Sequence, residues 1–239
     1  MGVPLLDLKA QYATQKDEIN RAVLEVLESQ HFILGPQVKE LEEAIGRYVG
    51  ATFACGVSSG TDALLIALMA EGVGPGDEVI TPPYSFFATA GCPVRLGATP
   101  VFAEIEPRSF NLDPAQLEAA ITPRTKAVVP VDIAGHPAPL DEILAIARAH
   151  GLKVVEDAAH ATETWHKDRK VGSIADATAF SFYATKNLST GEGGMLTCAD
   201  EELAAKARII GLHGMSKDAW KRYDKGGSWF YEATQTRVD

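Results

Sequence analysis

The chain has 239 residues, 46% of them hydrophobic, and a formal net charge of −10. That is enough apolar material for one large core. The acidity makes nucleic acid a poor partner, because a net-negative surface repels polyanions. No stretch approaches the length needed to span a bilayer.

The start, MGVPLLDLKA, carries no basic leader ahead of a long apolar run. Cys55, Cys92 and Cys198 show no metal spacing and cannot all pair, so they read as reduced thiols of a cytoplasmic protein. Residues 12–29 place Ile19, Val23, Val26 and Leu27 at helical spacing. HFILGP breaks that pattern. Pro36 then opens a helix to about Gly50, with Val38, Leu41, Ile45 and Tyr48 on one side. The division expected is an N-terminal helical segment, 1–35, followed by one large domain, 36–239.

From Phe53 onward the chain alternates. Strands are predicted at FACGV, DEVITPP, TPVFAE, AVVPVD, LKVVED, ATAFSFY and GGMLTC. Helices are predicted at SSGTDALLIALMAEG, at SFFATAGCPVRLG and from Asp113-Pro114 to Ala120. Two more lie at APLDEILAIARAHG and EELAAKARIIGLHG. Short apolar strands separated by helices mean βαβ units. The fold class is therefore α/β, with a seven-stranded, mostly parallel sheet between helices. Working residues in such sheets gather past the carboxyl ends of strands.

Four places meet that rule. Ser58-Ser59-Gly60-Thr61-Asp62 offers hydroxyls and free N–H groups at a helix start, either a phosphate seat or an ordinary N-cap. Neither GxxxxGK[ST] nor GxGxxG is present, which argues against nucleoside triphosphate and nicotinamide binding. Phe86 and Phe87 come after DEVIT and serve either core packing or stacking on a flat ring. Glu156-Asp157-Ala158-Ala159-His160 ends a buried strand. Asp157 there needs a partner, which could be a protonated ring nitrogen, a helix start or a local cation. His160 either touches the same ligand or is a core histidine. Lys186 lies in a polar, glycine-rich loop between two core strands, flanked by Ser181, Thr185 and Asn187. Partial desolvation would make it a nucleophile toward aldehydes. A phosphate seat, a stacking ring, a carboxylate and an amine together are what pyridoxal 5'-phosphate (PLP) demands.

The segments HFILGP, VSSGTDAL, TPPYSFFATA, DIAGHPAPLDEI, VVEDAAHA, VGSIADATAFSFYATKNLSTGEGG and RIIGLHG resemble the fold-type-I, PLP-dependent aminotransferases of nucleotide-linked keto-sugars. The resemblance runs from residue 4 to about 231. It implies that Lys186 holds PLP as a Schiff base and moves protons. Asp157 would pair with the pyridine nitrogen, and Phe86 would stack on the ring. Gly60, Thr61 and Ser181 would hold the phosphate, with His160 near the ring hydroxyl. It also implies an amino-acid donor, commonly glutamate, a nucleotide-linked keto-sugar acceptor and a homodimer. Relatives continue into a smaller C-terminal domain that this chain is expected to lack, and YEATQTRVD departs from the residues that relatives carry after WFY. The alternatives are a non-catalytic PLP-binding remnant, a sugar dehydratase (disfavoured because Lys186 is present) and a domain without cofactor.

Overall fold

The computed structural model describes residues 2–4 and 6–215, so the YEATQTRVD tail lies outside the described residues. Helix α1 (Leu8–Ser29) and helix α2 (Pro36–Val49) precede strand β1 (Phe53–Val57). Next come α3 (Gly60–Ala70), β2 (Glu78–Thr81), α4 (Ala88–Arg95), β3 (Thr99–Phe102), α5 (Pro114–Ala120), β4 (Thr125–Val128) and α6 (Leu140–Ala149). The remaining elements are β5 (Lys153–Asp157), β6 (Trp165–His166), β7 (Arg169–Lys170), β8 (Ala177–Ser181), β9 (Gly194–Cys198) and α7 (Glu201–Gly211).

Seven strands form one sheet in the order β1-β9-β8-β5-β4-β2-β3. The run from β8 to β3 is parallel, while β9 lies antiparallel between β1 and β8. Side chains along a strand alternate between faces. Val79, Val129 and Val155 join a core with Leu64 and Leu68 of α3 and Leu203 of α7. Ile80, Val128 and Val154 join a second core with Leu117 of α5 and Ile143 of α6. Helices thus cover both faces, which is why the strands read as continuous apolar runs.

Several boundaries differ from the sequence reading. The fourth strand is shifted from AVVPVD: the ladder runs over Thr125–Val128 and stops short of Pro130, which has no N–H to donate, before resuming as a single Val131–Asp157 bridge. The third strand stops at Phe102, two residues before the end of TPVFAE. The fourth helix starts at Ala88, so Phe86 and Phe87 sit in the turn before it. The first helix starts four residues early, at Leu8, where Asp7 accepts the N–H of Ala10 at 2.9 Å. None of its residues is buried, and Ile19, Val23, Leu24 and Leu27 are all exposed. The β6–β7 ribbon has no counterpart in the sequence reading, since two-residue strands carry no period; Asp141 of α6 fastens it through Lys167 and Arg169. The three cysteines are buried and free, and burial pushes each thiol up to about 11.

The start of α3 is pressed onto β8 and β9. Ser59 caps the helix, its Oγ accepting the N–H of Asp62 at 3.0 Å. A Cβ on Gly60 would lie 2.7 Å from Ser181 Cβ, and one on Gly194 would lie 2.4 Å from both the carbonyl carbon and oxygen of Ser59. The second clash is with backbone, which cannot rotate away. Gly194→Ala should therefore destabilise the chain by about 2 kcal/mol or more, read as a lowered urea midpoint. An unchanged midpoint would show that the helix start is free to shift.

Candidate active site

The parallel strands point their carboxyl ends at one edge of the sheet, and the segments leaving them enclose a cavity of about 480 Å³. The segment after β1 supplies Ser59, Gly60 and Thr61; the one after β2 supplies Ser85 and Phe86. Val131, Asp132 and Ile133 come after β4. Asp157, Ala159 and His160 come from the end of β5, and Ser181, Tyr183, Thr185 and Lys186 from the end of β8. Because β9 is antiparallel, its leading residue Glu192 reaches the same edge. All seven residues singled out in the sequence, Gly60, Thr61, Phe86, Asp157, His160, Ser181 and Lys186, line this one cavity.

Asp157 is buried at the end of β5. One carboxylate oxygen accepts the Thr89 hydroxyl at 2.8 Å and the other accepts the Ala159 N–H at 3.2 Å. Among the described residues it makes no ion pair. Burial pushes its pKa up, and the Thr89 and Ala159 bonds, then the charges of Lys186 and His160, pull the other way. Of the local partners open to it from sequence, a hydrogen bond to a following N–H is present and a salt bridge is not.

Lys186 is half-buried, its own N–H donating to the Tyr183 carbonyl at 2.9 Å. Its loop is closed at the base by Phe182 N–H to Gly193 O and Thr190 N–H to Phe182 O, both 2.9 Å, with Phe182 buried in the core. Burial lowers the Lys186 pKa against the opposing pull of Asp157. His160 is exposed at the rim rather than in the core, and partial desolvation, then the Lys186 charge, lowers its pKa.

Core packing holds for neither phenylalanine: Phe86 is 65% and Phe87 77% exposed, with ring centroids 4.5 Å apart. Only Phe86 lines the cavity. The sequence reading passes over Thr89 and Asp132. Thr89 stands in SFFATA as the second residue of α4, where threonine normally bonds its own backbone, and its hydroxyl does lie 3.0 Å from the Phe86 carbonyl; the signal for its contact with Asp157 is tertiary. Ser85 backs it, with its hydroxyl 2.8 Å from that of Thr89.

Comparison with known proteins agrees with this architecture. The model of the DegT/DnrJ/EryC1/StrS aminotransferase family matches residues 13–230, and the chain belongs to that family. The spore coat polysaccharide biosynthesis protein SpsC of Bacillus subtilis (strain 168) is 58% identical over 217 residues, which is 91% of this chain and 56% of that protein. A UDP-N-acetyl-3-dehydro-alpha-D-glucosamine 3-aminotransferase of Acidithiobacillus ferrooxidans is 44% identical over 93% of this chain and 59% of its own length. The structure of NtdA from Bacillus subtilis with bound cofactor PMP superposes with a TM-score of 0.85 at 33% identity, covering 96% of this chain and 51% of that one. The chain thus spans a little more than half the length of the curated relatives it matches.

Replacing Thr89 by valine keeps the shape and removes the donor. Loss of a bond to a buried carboxylate should cost about 1–3 kcal/mol. The Asp157 pKa is already raised by burial and should rise further, so the stability tied to its proton is full below its unfolded pKa and is lost as pH rises through the folded one. Denaturation curves across pH check both effects. A variant indistinguishable from the parent would mean the hydroxyl does not hold Asp157.

Proposed function

We propose that this chain forms the cofactor-binding part of a PLP-dependent aminotransferase, moving an amino group from an amino acid such as glutamate to a nucleotide-linked keto-sugar. In this reading residues 36–239 make the cofactor-binding domain and 1–35 a helical segment in front of it. The observation that carries the reading is Asp157: a buried carboxylate that makes no ion pair among the described residues, lining the same cavity as a half-buried lysine. The PMP held by NtdA and the named activity of the Acidithiobacillus relative support the cofactor and the substrate class.

The residues fit PLP. The phosphate end needs donors and close backbone approach, and Gly60, Thr61 and Ser181 meet at a capped helix start where no Cβ fits on Gly60. The ring end needs an anion for its nitrogen, and Asp157 is an anion in want of a positive partner. Phe86 presents an exposed ring for stacking, and His160, exposed at the rim of the cavity, would lie near the ring hydroxyl. Bound there, PLP supplies an electron-withdrawing ring that takes up the electrons of a deprotonated carbon beside nitrogen.

The chain's own groups do the rest. The lowered Lys186 pKa enlarges the neutral fraction of its amine, the form that attacks an aldehyde and accepts a proton from carbon. Asp157 would accept the ring N–H and so keep that nitrogen charged. Thr89 and Ala159 fix the carboxylate, so it need not reorganise as charge moves.

The reading includes a homodimer in the cytoplasm. The exposed apolar positions along α1 favour a second copy, and three unpaired buried thiols suit a reducing compartment. Among the described residues no helix is long and apolar enough to cross a membrane. The test is chemical. Incubation with PLP and borohydride should fix the cofactor on Lys186, as peptide mapping reads, and glutamate should convert the unreduced cofactor band to its aminated form. Lys186→Ala should lose both. Label on another lysine, or amination that survives the substitution, would falsify the assignment.

A further inference from the structure

Asp132 and Glu156 form a second pair of carboxyls behind Asp157. Asp132 is 1% and Glu156 0% exposed. Each has one oxygen satisfied: Asp132 Oδ1 accepts the Ala138 N–H at 2.8 Å, and Glu156 Oε2 accepts the Thr178 hydroxyl at 2.8 Å. The other oxygens, Asp132 Oδ2 and Glu156 Oε1, are sealed from solvent and meet no donor among the described residues. Val131 bridges Asp157 in parallel register, which turns the side chains of Asp132 and Glu156 to the same face of the sheet, side by side. Two facing lone pairs in a dry interior repel, and a buried charge without a partner is expensive. One proton placed between the two oxygens removes both difficulties.

We propose that Asp132 and Glu156 hold a single proton between them, and that this pair positions Asp157. The backbone makes the connection. Asp132 N–H donates to the Asp157 carbonyl at 3.0 Å, and Asp157 N–H donates to the Pro130 carbonyl at 2.9 Å. The segment bearing Asp132 is thereby laced to the end of β5, and Glu156 is the residue before Asp157. Of the groups that face the pair, Thr178, Ala138 and the Gly172 N–H do not titrate. Asp157 is the titratable group acting on it, and Asp157 in turn faces Lys186 and His160. Sharing a proton leaves the pair one negative charge rather than two, so Asp157 keeps its ionised form beside it.

Burial pushes both carboxyls up, Glu156 to about 7 from its ordinary 4.5. A raised folded value means the proton's contribution is full below the ordinary carboxylate range and is lost as pH rises through the pair's folded value. Over that window one extra bound proton costs the folding equilibrium up to about tenfold per pH unit.

The link to the ring nitrogen rests on the proposed function, but the shared proton is tested without cofactor. Infrared spectra of the ligand-free chain, taken within that window, should show a protonated carboxyl that Glu156→Gln removes. Denaturation across the same window should lose the one-proton slope in Glu156→Gln and in Asp132→Asn. Each substitution gives the remaining carboxylate an amide N–H and keeps the pair's charge. In the PLP-loaded chain either single variant should therefore leave the pH midpoint of the cofactor absorbance in place, and the double variant, which removes the charge, should shift it. Absence of the protonated band, or an undiminished slope in both single variants, overturns the shared proton. A midpoint unmoved by the double variant overturns the positioning role, whereas failure to take up PLP at all counts against the aminotransferase reading alone.

Discussion

A carboxylate closed inside a sheet has to be offset by something, and much of this molecule is arranged around that requirement at Asp157. Its oxygens take a hydroxyl from α4 and an N–H from the turn after β5. Those two bonds are the weaker kind of compensation, since neither carries charge. The remaining compensation is at longer range, from Lys186 and His160. These four partners come from three segments leaving the same sheet edge. Displacing any of those segments exposes the same electrostatic deficit. This ties the placement of α4, the β5 turn and the β8–β9 loop to a single group.

The sheet was legible because its strands are buried on both faces, and a run such as Lys153–Asp157 has no alternation to misread. Its seven members were all found, and the errors fell at ends. Pro130 explains one: the apolar run AVVPVD continues past the point where the ladder loses a donor. The site was legible for a related reason. Polar residues at the end of an apolar strand stand out, as Asp157 does, and a lysine between two glycine-flanked core strands stands out too.

What stayed hidden depends on contact between distant segments. Thr89 meets Asp157 across 68 residues of chain, and nothing in SFFATA distinguishes it from a threonine facing water. Asp132 reads as the end of a strand; only the fold brings it to Glu156. Phe86 and Phe87 are adjacent and chemically identical, and just one of them lines the cavity. The apolar spacing of α1 marked a helix and left open what covers its apolar side, because the period reports which residues share a side and not what lies against it.

The antiparallel insertion of β9 bears on how the chain reaches its native form. Among the described residues β1 sits at the sheet edge and has β9 as its only neighbour in the sheet, with Phe53 opposite Cys198. The first strand of the sheet in chain order is thus paired with the last, and its loop closure spans residues 53–198. Such long-range pairings are slow, because chain entropy is lost before contacts repay it. The α3 start, seated on Gly194, waits on the same event. The half of the cavity lined by Ser59, Gly60 and Thr61 is therefore assembled late, after the parallel β2–β5 core can already stand, and a nascent chain stopped before residue 194 carries Lys186 without the floor beneath it.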